Sequence, residues 1–168
     1  LRDKALILFQ LNQLDEALKN IKESIKLNNK DYIAFNTLGL ILLHMSKKDE
    51  ARKIFIEAIQ INKNYAPSFS NLGRCYEALN MPEESLKCFE QAMAIDPNSS
   101  IVINNLAGYY LDKGLYEKGL QLYLKANSID SSDIIVLSNI ARSYFDLDNL
   151  ELSIKYIKQC LKKDPQND

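Results

Sequence analysis

The chain has 168 residues, 46% hydrophobic and 26% charged, the composition of an ordinary globular protein. Lys and Arg number 21 against 22 Asp and Glu, no Lys/Arg block exceeds two residues, and no apolar run approaches membrane-spanning length. Nucleic-acid binding, an anionic-membrane patch and membrane insertion therefore have no compositional support.

Helical patterning is already under way at Leu1–Leu11, and the first residue is not Met; the chain is expected to be a piece of a longer protein. Registering the sequence on Leu72-Gly73 finds Leu38-Gly39, Leu106-Ala107 and Ile140-Ala141, each 34 residues apart, and Lys4-Ala5 one step earlier. Five copies follow without insertion or deletion: residues 1–31 (lacking the first three positions), 32–65, 66–99, 100–133 and 134–167. In the third copy Phe69, Leu72, Gly73 and Tyr76 form an i, i+3, i+4, i+7 stripe. Ser85, Phe89, Ala92 and Met93 form a second, so each copy is predicted to be two amphipathic helices.

The predicted boundaries carry their own chemistry. Asp15, Asp49, Glu83, Glu117 and Glu151 stand at the starts of the second helices, facing the positive end of the helix dipole. Pro82 suits a first helical turn, and Asp96-Pro97 and Asp164-Pro165 are expected to stop second helices. Asp31, Ser99 and Asp133 are placed to cap first helices. Small residues recur at three positions, among them Ala17/Ala51/Ser85/Gly119/Ser153, where close helix approach is expected. Cys75, Cys88 and Cys160 are odd in number and form no C-x-x-C spacing; they read as free thiols in a reducing compartment, with a cytoplasmic location expected.

These residues resemble the tetratricopeptide repeat (TPR) family. Phe69, Leu72-Gly73, Tyr76, Ser85, Phe89, Ala92 and Pro97 carry the match in the third copy, and the resemblance extends over essentially the whole chain. It departs in lacking Trp, and in having Lys63 and Ser131 where the late proline falls. The resemblance implies an all-α, right-handed superhelical solenoid of antiparallel helix pairs. First helices would line a concave groove that binds other proteins, often as an extended peptide.

Residues off the packing stripe of the first helices are the candidate site. Asn71, Asn105 and Asn139 recur one per repeat, with Asp3 and Thr37 completing the column. An amide matches both groups of a peptide bond, so a ladder of them suits an extended chain. The competing reading of the same amides is a hydrogen bond to a neighbouring helix. Asn36, Asn104, Arg74 and Arg142 are polar anchors in the candidate set, each arginine also being a plausible solvated partner of Glu77 or Asp146. Leu40, Leu43, Ile101, Leu111, Ile135 and Phe145 are candidate pocket residues, and Gly108 leaves a gap between Arg74 and Arg142. The slots matching the carboxylate clamp of chaperone-tail readers hold no lysine, which argues against that ligand.

No catalytic or metal-binding constellation is present. His44 is the one histidine, and no Gly-rich phosphate loop occurs. The leading expectation is a noncatalytic interaction module without cofactor or metal, whose partner is a protein or peptide. Two alternatives stand beside it: a substrate-recruiting arm of a larger glycosyltransferase or sulfotransferase, and a self-associating scaffold. The last helix presents Ile154, Ile157 and Leu161, which a further helix would cover in a longer array; that face points either to an end-to-end homo-oligomer or to continuation of the array.

Overall fold

A computed structural model describes residues 1–163, and these form ten α-helices and no strand. The first helices of the five copies are α1 (Arg2–Gln10), α3 (Tyr32–His44), α5 (Ala66–Ala78), α7 (Ser100–Asp112) and α9 (Ile134–Asp146). The second helices are α2 (Leu14–Leu27), α4 (Lys48–Ile61), α6 (Pro82–Ile95), α8 (Tyr116–Ile129) and α10 (Leu150–Lys163). The all-α helical repeat expected from the 34-residue register is thus what the chain adopts. The Asp164-Pro165 stop and the last residues of the fifth copy lie outside the described residues.

The helices group into two compact units, Leu1–Ile95 with α1–α6 and the remainder with α7–α10. In the first unit each helix packs on the next, and first helices also touch across repeats, α1 on α3 and α3 on α5. In the second, α8 packs against both α7 and α9, and α9 against α10. The small-residue columns mark the close approaches. Phe55 and Phe89 are fully buried, and a Cβ on Gly73 would stand 2.6 Å from Phe89 Cε1. The same clash awaits a Cβ on Gly39 against the Phe55 ring. Ala17, Ala51, Ser85 and Gly119 are buried, as a small-residue contact column requires.

Two turns repeat with the helices, one made by small or polar residues and the other by Asn and Asp. Every first helix ends in a left-handed residue: Asn12 (φ 58°), Ser46 (61°), Asn80 (58°), Gly114 (72°) and Asp148 (56°). The bond from the following residue closes a Schellman motif each time, as in Gln13 N to Leu8 O at 2.8 Å with Asn12 N to Phe9 O at 2.9 Å. Lys47 to Leu42, Met81 to Tyr76, Leu115 to Tyr110 and Asn149 to Tyr144 repeat it. After the second helices, Asn28, Asn62, Asp96 and Asp130 each accept a bond from the amide two residues on, at 2.7–3.3 Å. These Asx-turns redirect the chain whether or not proline follows, which is why Lys63 and Ser131 replace it without breaking register.

The acids at the second-helix starts lie in the first turns as expected. Asp31 and Asp133 cap α3 and α9, each accepting two backbone N–H bonds at 2.9–3.2 Å. Ser99 is a correction: it stands at the N-cap of α7, but its side chain makes no cap bond.

Candidate functional site

The first-helix faces are best built one unit at a time. In the first unit Asn36 on α3 and Asn71 on α5 meet. Asn71 Nδ2 donates to Asn36 Oδ1 at 3.0 Å, and Ser68 Oγ donates to the same oxygen at 3.3 Å. Asn36 is 6% exposed and Ser68 fully buried, so this triad ties α5 to α3 beneath the surface. Asn71 is half-buried above it. Thr37 is buried and donates to its own helix, at Ile33 O 2.8 Å away, because a hydroxyl reaches the i−4 carbonyl more readily than a neighbouring helix.

The second unit repeats the arrangement two copies on. Asn139 Nδ2 on α9 donates to Asn104 Oδ1 on α7 at 3.0 Å, both residues half-buried. Asn36 and Asn104 thus both act as acceptors for the asparagine column, each bonding the residue 35 positions later. The structure brings together Asn36 with Asn71 and Asn104 with Asn139, as a helix-to-helix pairing. Each pairing spends one hydrogen of one amide; the second hydrogen and the oxygen of Asn71 and Asn139 are the capacity an amide has beyond it. Asn105 is half-buried and has interactions of its own.

The apolar candidates divide. Ile101 and Ile135 are 67% and 66% exposed. They precede Asn105 and Asn139 by one turn, and so share a helix face with them. Arg142 follows Asn139 by three residues on the same face, its Nε 3.8 Å from Asp146 Oδ2, the local partner weighed for it. Phe145 is 60% exposed. Leu40 and Leu43 are half-buried. Leu111 is not on the open face: it is 8% exposed, with Cδ2 within 2.8 Å of where a Gly119 Cβ would stand. The glycine admits the leucine into the α7–α8 contact, a pairing that a single-helix periodicity does not show. Around Gly108 there is room, since an added Cβ would meet only Tyr123 Oη at 3.8 Å.

Arg74 is exposed and lines a recess of about 350 Å³ with Leu43, His44, Lys48, Glu77 and Ala78. Lys48 is held there by its bond to Ala78 O at 2.7 Å, and the His44 ring stands edge-on to Phe9, centroids 4.8 Å apart. Among the described residues no cluster of His, Cys, Asp and Glu has metal-binding geometry, and no helix is long and apolar enough to cross a membrane. The thiols are set by burial, which pushes all three above the ordinary cysteine range, Cys88 to about 11. None is activated as a thiolate nucleophile.

Comparison with known proteins agrees with this architecture. One tetratricopeptide repeat family model matches residues 31–98, and a second matches residues 3–31 and 136–167. A search of curated proteins by sequence gives no match. Among solved structures, the chain is similar to a thermophilic TPR protein of Thermus thermophilus, with TM-score 0.86 and 18% identity over 99% of this chain and 91% of that one. It is similar to pilF of Pseudomonas aeruginosa, with TM-score 0.86 and 15% identity, covering 99% and 76% of the two chains. It is also similar to YrrB, described as a TPR protein with an unusual peptide-binding site, at TM-score 0.68 and 17% identity over 99% and 86%.

Proposed function

The chain belongs to the tetratricopeptide repeat family, and on that premise we propose that it is a noncatalytic protein-interaction module that takes an extended peptide along its first-helix face. The observation that carries this reading is the face of the second unit. Ile101 and Ile135, each about two-thirds exposed, stand one turn before Asn104 and Asn139 of the amide pair, with Arg142 one turn beyond Asn139 along α9. Large aliphatic side chains left in water beside polar groups suited to a peptide backbone form an amphipathic contact strip.

The magnitudes make this a modest binder. An amide bond to the ligand backbone contributes a net ~0.5–1.5 kcal/mol, so the asparagines alone reach only the millimolar range. Covering each isoleucine with a ligand side chain adds on the order of 1–2 kcal/mol, which brings a short peptide toward micromolar affinity. The description of YrrB as peptide-binding is consistent with this use of the fold.

The test is selection from a displayed library of random unstructured peptides, followed by fluorescence anisotropy on the selected sequences. Ile101→Asp with Ile135→Asp is expected to weaken selected peptides at least tenfold while leaving the far-UV spectrum unchanged. Peptides that bind the double variant as well as the parent chain would remove the face from the binding site.

A further inference from the structure

We propose that Tyr123, Gly108 and Arg142 form a side-chain subsite on the first-helix face of the second unit, and that it takes the carboxylate of an Asp or Glu in the bound peptide. The inference rests on the peptide-binding reading of that face and adds a sequence preference to it.

Two departures from the repeat coincide in the fourth copy. The first is Tyr123, which carries the one hydroxyl in a second-helix column that otherwise holds Ile21, Phe55, Phe89 and Ile157. Tyr123 is 2% exposed, in line with the fully buried Phe55 and Phe89. Its Oη has no hydrogen-bond partner among the described residues, yet it is not sealed from solvent as Ser85 Oγ and Asn127 Oδ1 are. The second departure is Gly108, in a column that holds Leu6, Leu40, Arg74 and Arg142 in the other copies. A Cβ on Gly108 would stand 3.8 Å from Tyr123 Oη, so any longer side chain there would extend over that oxygen. The hydroxyl and the opening above it thus occur together. Packing does not require the oxygen, since phenylalanine fills the same place in two copies, and a buried hydroxyl is costly unless it is hydrogen-bonded.

Charge indicates what the opening accepts. Burial pushes the Tyr123 hydroxyl up to about 12, so it keeps its proton at neutral pH and is able to donate. The charge of Arg142 reaches it from α9, and that of the exposed Asp112, at the end of α7, acts on it less strongly. The Arg142 side chain is 69% exposed, and its ion pair to Asp146 is long, 3.8 Å from Nε, which leaves the terminal guanidinium nitrogens for a ligand. One O–H and one guanidinium therefore serve the same opening. A carboxylate is acceptor-only, takes bonds from both, and matches the charge of Arg142. Gly108 and Arg142 follow Asn104 and Asn139 by about one turn, so a peptide whose backbone meets the amide pair brings a neighbouring side chain to the opening.

The probes are peptides selected on the parent chain from the random displayed library, each compared with versions in which one acid at a time is changed to its amide, Asp to Asn or Glu to Gln. One acidic position is expected to stand out in fluorescence anisotropy, its amide version binding about fivefold or more weaker. Tyr123→Phe, which restores the residue of two other copies, should weaken the acidic peptide about three- to fivefold and the amide version less than about twofold. Gly108→Leu, the counterpart of Leu40, and separately Arg142→Gln should remove the difference between the two peptides while the far-UV spectrum stays unchanged. Selected peptides that hold no acid, equal affinity of the acidic and amide versions for the parent chain, or an equal loss of both in Tyr123→Phe would overturn the subsite. The Ile101→Asp with Ile135→Asp variant separates this outcome from failure of the face itself. Peptides that need the isoleucines but are indifferent to Tyr123→Phe leave the face standing and remove the subsite; peptides indifferent to the isoleucines remove both.

Discussion

The asparagine triad predicts an asymmetry between two substitutions that look alike in the sequence. Asn71→Ala removes one donor from Asn36 Oδ1, which keeps its bond from Ser68 Oγ at 3.3 Å. The net loss is one hydrogen bond, ~0.5–1.5 kcal/mol, offset by a few tenths from the better helix propensity of alanine. Asn36→Ala removes the shared acceptor. Both bonds go, and the fully buried Ser68 hydroxyl loses the partner the structure gives it. Leaving such a group unpaired costs a further ~1–3 kcal/mol. The expected costs are thus about 0.5–1 kcal/mol for Asn71→Ala and about 2–4 kcal/mol for Asn36→Ala. Urea unfolding followed by circular dichroism on the two single variants and the double variant measures this, with a coupling energy of about 0.5–1.5 kcal/mol expected. Equal costs for the two single changes, or a coupling below about 0.3 kcal/mol, would refute the shared-acceptor reasoning. The result also bears on function, because Asn71→Ala is then mild enough to serve in binding assays and Asn36→Ala is not.

Further outcomes follow from the helix contacts and turns. Gly73→Ala sets a Cβ 2.6 Å from Phe89 Cε1 and should cost about 1 kcal/mol net of its helix-propensity gain; Phe89→Leu in the same chain should relieve the clash. Gly108→Ala has only Tyr123 Oη at 3.8 Å to meet and should stabilise by up to about 1 kcal/mol; thermal unfolding separates the two glycines. Ser46 holds φ at 61° where other copies have Asn, Asp or Gly, so Ser46→Gly should raise stability by about 0.5–1 kcal/mol, read as a higher urea midpoint with unchanged slope. Burial pushes the Tyr123 hydroxyl up to about 12 and the Cys88 thiol to about 11. Each stabilises the fold fully below its unfolded value, near 10 and 9, and that contribution is lost as pH rises through the folded value. Urea midpoints should therefore fall between pH 9 and 12, and Tyr123→Phe should flatten the fall above pH 10.

Much of the architecture is a local matter, and so was legible. The two stripes per copy, the first-turn acids and the Asp31 and Asp133 caps depend on residues within a turn or two of one another, and the 34-residue register is that local pattern recurring. The left-handed column at Asn12, Ser46, Asn80, Gly114 and Asp148 is hard to read because four different residue types fill it, although all of them are small or locally hydrogen-bonding. The same holds for Asn28, Asn62, Asp96 and Asp130, where proline draws attention and the Asx side chain does the turning.

The candidate site shows the opposite case. Periodicity names the residues off the packing stripe of one helix, and it places Asn71, Asn139, Ile101 and Ile135 on the first-helix faces. Whether such a residue meets a neighbouring helix or solvent depends on separations between helices, which arise from side chains on different helices, here 8 to 35 positions apart. Asn36 is drawn under the surface by Ser68 and Asn71, and Leu111 is admitted to the core by Gly119. Ile157 stays in water although its column is otherwise buried. Residue order along the chain settles the repeat, its helices and the kind of surface they present. Packing between helices settles which polar groups are spent holding first helices together and which apolar ones are left in water, because each close approach is fixed by a pair of side chains on two different helices, which the periodicity of one helix does not show.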